Sequence, residues 1–360
     1  MTMLAEVVDA VIGIDTHRDT HEVEIADAAG KPIAAMRVGN DSAGFGQLLA
    51  ALAEVAPGPR VAVCIEGTRG YGVGLARALA AAGLLVIECE QPSRKQRRGK
   101  GKSDPIDAHL AVLAALRLDT NRLPVPRADG DREALRILLV ARQELTAAAT
   151  GQAGRLRALL LAGDDTDRRA ARKTLAGREL PAHASREQAV RQAEIRRLAL
   201  ALGAGRRQLK DNHQQLLAIV EDIAPGLTSR YGVGPVSGAQ AIVSFSHPGR
   251  CRSEAAFAAL GGTSPIPASS GQTVRHRLNR GGDRALNRAI HAIALTRIRS
   301  CARTRAYVAR RTAEGKNPRE IRRCLKRYIA RQLYRTLATA TTQQPRPADV
   351  LTADGALNTP

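Results

Sequence analysis

The order of strand-like and helix-like segments in the first third of the chain constrains its fold most strongly. Periodicity assigns seven segments there: strands at residues 8–14, 21–27, 32–38, 60–66 and 84–89, and helices at 42–55 and 70–82. A further helix begins at Ser103, with Pro105 in its first turn. Short turns join the first three strands, so we expect an antiparallel meander. The predicted element order is βββαβαβα.

This order is that of the ribonuclease-H-like fold, which RuvC-type nucleases share. In a sheet of that kind the first and fourth strands are neighbours, and the last helix packs beside them. Residues far apart in the sequence then meet at one edge of the sheet. We therefore predict an α/β, RuvC-like domain over residues 1–130.

The rest of the chain has a helical composition. Residues 131–161 and 185–223 are rich in Ala, Leu, Arg, Glu and Gln, which predicts two long helices. We interpret residues 131–224 as a helical hairpin or coiled-coil arm, with an ordinary helical bundle as the alternative. Residues 225–341 should form a mainly helical, basic C-terminal domain. The composition of residues 342–360 predicts a disordered tail.

Charge is distributed unevenly along the chain. The net charge is +21 and the sequence pI is about 10.9. Residues 1–92 hold 6 Lys and Arg against 12 Asp and Glu, whereas residues 226–345 hold 22 against 4. Residues 93–102, SRKQRRGKGK, hold six basic residues and no acidic one. This pattern favours a nucleic-acid partner, and the low aromatic content of 2% disfavours a protein that binds single strands by base stacking.

Two classes of protein are disfavoured by the composition. No apolar run approaches the roughly 18 residues that a membrane helix needs, so we expect no membrane association. The five cysteines are scattered and include no CxxC pair, which argues against a disulfide framework or a zinc site. Both observations fit a cytoplasmic protein.

Four carboxylates lie where the predicted fold would bring them together. Asp15 follows the first strand, Glu66 ends the fourth, and Asp104 and Asp107 are spaced i and i+3 on one helical face. Hard divalent cations take oxygen ligands and can assist phosphoryl transfer. We therefore predict a site for Mg²⁺ (or Mn²⁺), although each acid alone is more often a solvated or helix-capping residue.

Other polar residues near the first strand fit a metal site less well. His17 and His21, with Asp19 between them, lie in a turn that enters a strand. They lack the i, i+4 helical spacing of a histidine metal site, so we do not expect them to bind metal.

A second segment that could take part in catalysis lies in the basic C-terminal part. Ser269 and Ser270 precede Gly271, so a phosphate could approach the hydroxyl closely. Arginines that could hold a phosphate follow: Arg275, Arg277, Arg280, Arg284 and Arg288. No local base is evident, and on chemistry alone such a loop is usually only a turn.

Four segments together resemble one known family. They read GIDTHRDTHEVEIAD, CIEGTRGYG, KSDPIDAHLAVLAAL and FAALGGTSPIPASSGQTVRHRLNRGG. In order and spacing they are similar to the DEDD-type transposases of bacterial insertion sequences, which carry a serine in their C-terminal domain. Some members are RNA-guided (bridge-RNA) recombinases, and others are pilin-gene invertases. The resemblance covers about residues 8–340.

The resemblance implies residue roles and partners. Asp15, Glu66, Asp104 and Asp107 would be the catalytic, metal-binding acids. Ser270 would be the nucleophile that forms a covalent link to DNA, with Ser269 beside it as the competing assignment. The composite site would form between protomers of a dimer or tetramer acting on duplex DNA at element ends and target, with a structured guide RNA. Independently of the resemblance, from which the dense run at 93–102 departs, the charge count predicts further nucleic-acid contacts by Arg94, Lys95, Arg97 and Arg98.

Two alternatives remain at this point. A metal-only RuvC-like nuclease or Holliday-junction resolvase would need the four carboxylates but not Ser270. A basic nucleic-acid-binding protein with an inactive site would need neither, although the presence of all four acids disfavours it.

Overall fold

The computed structural model describes residues 2–89, 104–163, 185–267, 276–277, 279, 281–341 and 347–351. Its strands are β1 (Ala10–Thr16), β2 (Thr20–Asp27), β3 (Pro32–Gly39), β4 (Val61–Glu66), β5 (Leu85–Cys89), β6 (Ile266–Pro267) and β7 (His276–Arg277). Its α-helices are α1 (Ser42–Val55), α2 (Val73–Ala81), α3 (Asp104–Leu116), α4 (Gly130–Ala162), α5 (Arg186–Ile223), α6 (Pro235–Phe245), α7 (Glu254–Leu260), α8 (Arg284–Ser300), α9 (Ala302–Ala313) and α10 (Pro318–Thr341). The chain divides into two compact units, one of Met1–Ala134 with Ala241–Pro360 and one of Leu135–Gln240.

A five-stranded sheet organises the N-terminal part of the first unit. Its strand order is β3-β2-β1-β4-β5. β1, β2 and β3 are antiparallel, whereas β4 is parallel to both β1 and β5. The predicted meander and the predicted neighbouring of the first and fourth strands are confirmed. Because β1 and β4 are parallel, their carboxyl ends lie at the same edge of the sheet.

Alternating residues of β1 and β4 bury two different cores. One face presents Ile12, Ile14 and Val63 to a core that includes side chains of α1 and α2. The other face carries Val11, Ala62 and α3, as predicted for the last helix of this domain. Both strands are therefore buried on both sides, which explains their nearly continuous apolar sequence.

Gly13 sets the distance between β1 and α3. A Cβ atom on this residue would lie 2.0 Å from the backbone oxygen of Ala108 and 2.9 Å from Val112. No side chain fits there without displacing the helix. The glycine therefore lets the first turns of α3 lie directly on β1, two residues before Asp15.

The second unit contains most of the two longest helices. Asn212 of α5 donates a hydrogen bond to the Leu138 carbonyl of α4 (2.9 Å), and Leu156 of α4 packs in a core with Ile195 of α5. The later residue of α4 therefore contacts the earlier residue of α5, so the two helices are antiparallel. A capping box at Ser185, whose hydroxyl accepts from the Gln188 backbone, begins α5.

The C-terminal part of the first unit is helical apart from the short β6–β7 pair. The predicted disorder of the tail is wrong for Pro347–Leu351, which form a 3-10 helix whose Leu351 is buried in the core beside β5. α7, α8 and α9 pack against α10. Phe245, Phe257 and Tyr334 form a cluster of aromatic rings with centroids about 6 Å apart. None of the helices described is both long and apolar enough to cross a bilayer.

Candidate active site

Two predicted acids lie side by side at the carboxyl edge of the sheet. Ile14 of β1 pairs in parallel register with Ile65 of β4, so Asp15 and Glu66 are the next residues on each strand. They share the face of the sheet that α3 covers, because Val11 and Ala62 lie on it and side chains alternate along a strand. Both carboxylates are buried, with 9% and 8% of their residue surfaces exposed.

The third acid comes from α3. Asp107 lies in the first turn of this helix, directly before Ala108, whose carbonyl faces Gly13, and it is 8% exposed. Asp104 is the first residue of α3, but its side chain lies outside the described residues. The fold thus brings Asp15, Glu66 and the start of α3 to one region, as the topology predicted.

The residues present are chemically suited to a divalent cation. Asp15, Glu66 and Asp107 are all buried, and carboxylate oxygens are the ligands that hard divalent cations prefer. Within the described ranges, no three Asp, Glu, His or Cys side chains are close enough together to hold one ion. Magnesium commonly needs only one or two protein carboxylates, with water and substrate phosphate completing its coordination, so the donor set fits this ion.

The two short strands that flank the serine segment are described, but the residues between them are not. β6 pairs antiparallel with β7, with Ile266 opposite Arg277. Ser269 and Ser270 lie between these strands, outside the described residues. Of the predicted phosphate-binding arginines, Arg277 ends β7, and Arg284 and Arg288 lie exposed on α8. The others fall outside the described ranges: Arg94, Lys95, Arg97, Arg98, Arg275 and Arg280.

Comparison with known proteins now identifies the family. A model of DEDD-type (IS110) transposases matches residues 12–162, and a model of the IS116/IS110/IS902 transposase family matches residues 224–309. The chain belongs to this family of transposases. It is also 26% identical, over 358 residues, to the "uncharacterized 42 kDa protein" of insertion element IS900 from Mycobacterium paratuberculosis, which spans 84% of this chain and 89% of the relative. The protein is therefore a DNA transposase of the insertion-sequence type.

Two residues beside the transposase's acids were missed by sequence reasoning. His17 Nε2 lies 3.4 Å from an Asp15 carboxylate oxygen, although the spacing of the histidines did not favour a role at the site. The Thr16 hydroxyl donates to the backbone carbonyl of Glu66 (2.7 Å) and so joins the ends of β1 and β4. The only sequence signal for either residue is its position within two residues of Asp15.

His21 has a structural role. It is fully buried, its ring stacks on Phe45, and Nε2 hydrogen bonds with Asn40 Oδ1 at 3.0 Å. Burial is the main cause that lowers its pKa, which keeps the ring neutral at ordinary pH.

A further acid ties α3 to the sheet. Glu24 of β2 lies opposite Gly13 of β1, and its carboxylate meets His109 Nδ1 of α3 at 2.5 Å. Gly13 allows α3 to approach β1 closely, and the Glu24–His109 contact attaches α3 to the neighbouring strand β2. The position of Asp107 therefore depends on residues that are 85 apart in sequence.

The same edge of the sheet also carries a group of basic residues around Glu88 that sequence reasoning missed. Burial opposes ionisation of Glu88 at the end of β5, but the hydrogen bonds and charge of Arg127 outweigh it and lower the carboxyl pKa. Arg69, three residues after Glu66, is 3.5 Å from the same carboxylate. Burial, with neighbouring positive charge, lowers the pKa of Arg132 to about 10 and that of His247 to about 4. These residues come from separate segments, so no local motif could reveal them.

Proposed function

We propose that this transposase cuts and rejoins DNA at a composite site made of a RuvC-like acidic edge and a nucleophilic serine. The observation that carries the proposal is the in-register placement of Asp15 and Glu66 on parallel neighbouring strands, with Asp107 on the helix that covers them. These three carboxylates supply the oxygen ligands that a hard divalent cation prefers. The strand order supports a ribonuclease-H-like fold for residues 1–130.

The four acids would act together on a divalent ion. Asp15 and Glu66 would hold it from the sheet, and Asp104 and Asp107 from α3. When bound, Mg²⁺ or Mn²⁺ would favour a deprotonated hydroxyl and stabilise charge on the attacked phosphate. His17 lies against Asp15 and would orient that carboxylate through their contact. Gly13 and the Glu24–His109 pair would keep α3, and hence Asp107, at the correct depth.

Ser270 would carry the covalent step. Its Oγ attacks a backbone phosphorus atom, and the bond from phosphorus to the leaving deoxyribose oxygen breaks as the phosphoserine bond forms. The serine proton passes to solvent, and the leaving oxygen is protonated. Attack by a strand hydroxyl on the phosphoserine then rejoins DNA and regenerates Ser270. The number of phosphoester bonds is conserved, so the exchange needs no energy-rich co-reactant.

The remaining assignments concern partners and domains. We infer an arm over residues 131–224, a C-terminal serine domain over 225–341 and a tail over 342–360. Duplex DNA at element ends and target, a structured guide RNA, and assembly to a dimer or tetramer in the cytoplasm complete the proposal. Two charge counts support the proposed backbone contacts: six basic residues over 93–102 and a net charge of +18 over 226–345. The contacts would come from Arg94, Lys95, Arg97, Arg98, Arg275, Arg277, Arg280, Arg284 and Arg288.

Substitution of the serines tests the proposed chemistry. Ser270→Ala should retain DNA binding but lose both strand cleavage and the covalent protein–DNA adduct. Ser269→Ala is the matched control and should be much milder. Adducts would be trapped on nicked substrate, resolved on denaturing gels and mapped by peptide analysis. An adduct on Ser269 would reassign the nucleophile and keep the mechanism.

A metal-only nuclease or resolvase is the second candidate, because the acidic edge by itself suits hydrolysis by water. It predicts free DNA ends and full cleavage by the Ser270→Ala protein. That result would overturn the serine mechanism and leave the acidic site in place.

A further inference from the structure

A basic cleft lies at the base of the β6–β7 hairpin. It has a volume of about 840 Å³ and is walled on one side by residues 262–265 and Asn279, and on the other by α9, α10 and the turn between them. Six cationic side chains line it, against one acid, Glu320: they are Arg311, Lys316, Arg323, Lys326, Arg327 and Arg331.

Half of these positive charges have no acidic partner in the described part of the chain. Arg311 pairs with Glu314 and Arg331 with Glu254. Glu320 accepts a hydrogen bond from the backbone of Asn317, in the turn just before its own helix. In the part of the chain that the structure describes, Lys316, Lys326 and Arg327 form no ion pair. One terminal nitrogen of Arg327 is buried without a hydrogen-bond partner there.

Lys326 is fixed in this cleft. It is half-buried, and its ammonium group donates to Asn287 Oδ1 at 2.7 Å. The amide of Asn287 in turn donates to the Gly261 carbonyl at 2.6 Å, which links the lysine to the loop that leads into β6. Burial lowers the pKa of Lys326, because a desolvated cation without a counter-ion is unfavourable. An anion in the cleft would reverse that cost.

The cleft lies close to the proposed nucleophile along the chain. Gly262, at φ +60°, lies against the backbone oxygens of Asn279 and Gly281, so the two ends of the hairpin meet at the cleft wall. Ser270 follows Pro267, the last residue of β6, by three positions in the sequence.

Basic side chains continue beyond the cleft along the first half of α10. Lys326 and Arg323 also line a neighbouring cleft of about 650 Å³, together with Arg319 and Arg322. From Arg319 to Arg327 the helix rises about 12 Å, the axial length of three to four base pairs. The cations can therefore follow consecutive phosphates of one strand.

We propose that this cleft binds the phosphate backbone of duplex DNA beside the serine hairpin, with Lys326 as its innermost contact. The proposal rests on the proposed function for the nearness of the reacting strand. Duplex DNA is favoured over a single strand because Tyr328 is the one aromatic side chain among the described residues that line the cleft, so phosphate contacts outweigh base stacking.

Charge-neutralising variants of the full-length protein test the cleft. Lys326→Gln and Arg327→Gln should each weaken binding to a short duplex of arbitrary sequence by roughly eightfold at 0.1 M salt, and flatten the slope of log affinity against log salt by about 0.9. Lys326→Arg keeps the charge and should bind like the wild type. Arg305→Gln, an exposed site on α9 outside the cleft, is the matched control and should change little.

Equal affinities and salt slopes for Lys326→Gln, Arg327→Gln and Arg305→Gln would overturn the proposal that the cleft binds DNA. A loss confined to a structured RNA of equal length would overturn duplex DNA as its occupant. Normal cleavage by Ser270→Ala would refute the nucleophile while the binding defect of Lys326→Gln remained, so the two proposals can fail separately.

Discussion

The acidic edge of the sheet and the basic C-terminal helices use side-chain charge in opposite ways. Asp15, Glu66 and Asp107 are buried, and strand register and one glycine set their positions. The cations of α8 and α10 are more numerous and more exposed, and helical spacing sets their positions. In the proposed function, an acid displaced by an ångström would no longer reach the ion, whereas loss of one arginine would remove one proposed phosphate contact among many. Single substitutions at the acidic edge should therefore reduce activity strongly, whereas each substitution on the basic helices should reduce DNA binding only in part.

Gly13→Ala should have the largest effect on both stability and activity. The new Cβ would lie 2.0 Å from the Ala108 oxygen, so α3 must move and carry Asp107 with it. We expect a loss of about 2–3 kcal/mol in the free energy of unfolding and no detectable cleavage. Gly46→Ala in α1, where a Cβ meets nothing within 4 Å, should instead stabilise by up to about 1 kcal/mol. Urea denaturation of both variants measures the contrast, and equal stabilities would refute the close-packing argument.

Glu88→Gln should have an intermediate effect that depends on pH. The folded carboxyl pKa is lowered from 4.5, so its ionised form stabilises the protein above that pH and the contribution disappears as the pH falls below it. The variant should lose about 2 kcal/mol at neutral pH, since Arg127 keeps a partly buried charge. Below the folded pKa the two proteins should converge. Thermal denaturation across this range measures the difference, and a pH-independent offset would contradict the ion-pair account.

Arg284→Gln and Arg288→Gln should change stability least. Both side chains are exposed on α8, so we expect less than about 0.5 kcal/mol from each. Each should still flatten the salt dependence of duplex binding by about 0.9 if it contacts a phosphate, with sequence preference unchanged. Titrations at several salt concentrations on two unrelated duplexes give both quantities. A change in preference between duplexes would show that these arginines read bases.

The sheet could be predicted from the sequence because the patterns that indicate strands and turns are local. Alternation and turns predicted β1 to β5 to within about two residues, and the strand ends then indicated Asp15 and Glu66. The neighbours of these acids could not be predicted in the same way. The His17–Asp15 contact depends on how a turn folds back, and the Glu24–His109 pair depends on the depth at which α3 packs.

The same distinction between local and non-local information applies to the cationic residues. Charge counting predicted that residues 226–345 are basic, but it could not predict which side chains converge. Lys326 is singled out only by Asn287, a residue 39 positions away on another helix. The group around Glu88 joins β5, the start of α4 and the segment after α6, so only the folded chain reveals it. Family resemblance supplied Ser270, which neither charge nor periodicity distinguishes from an ordinary turn.

Mixing two inactive variants tests the composite site most directly. Asp15→Asn retains Ser270 but lacks one metal-binding acid, and Ser270→Ala retains the acids but lacks the nucleophile. If the site is shared between protomers, the mixture should restore cleavage, with the DNA adduct found only on a size-tagged Asp15→Asn chain. An adduct formed by Asp15→Asn alone, or a mixture that binds DNA but stays inactive while the wild type cleaves, would contradict a site shared between acids and serine of different protomers.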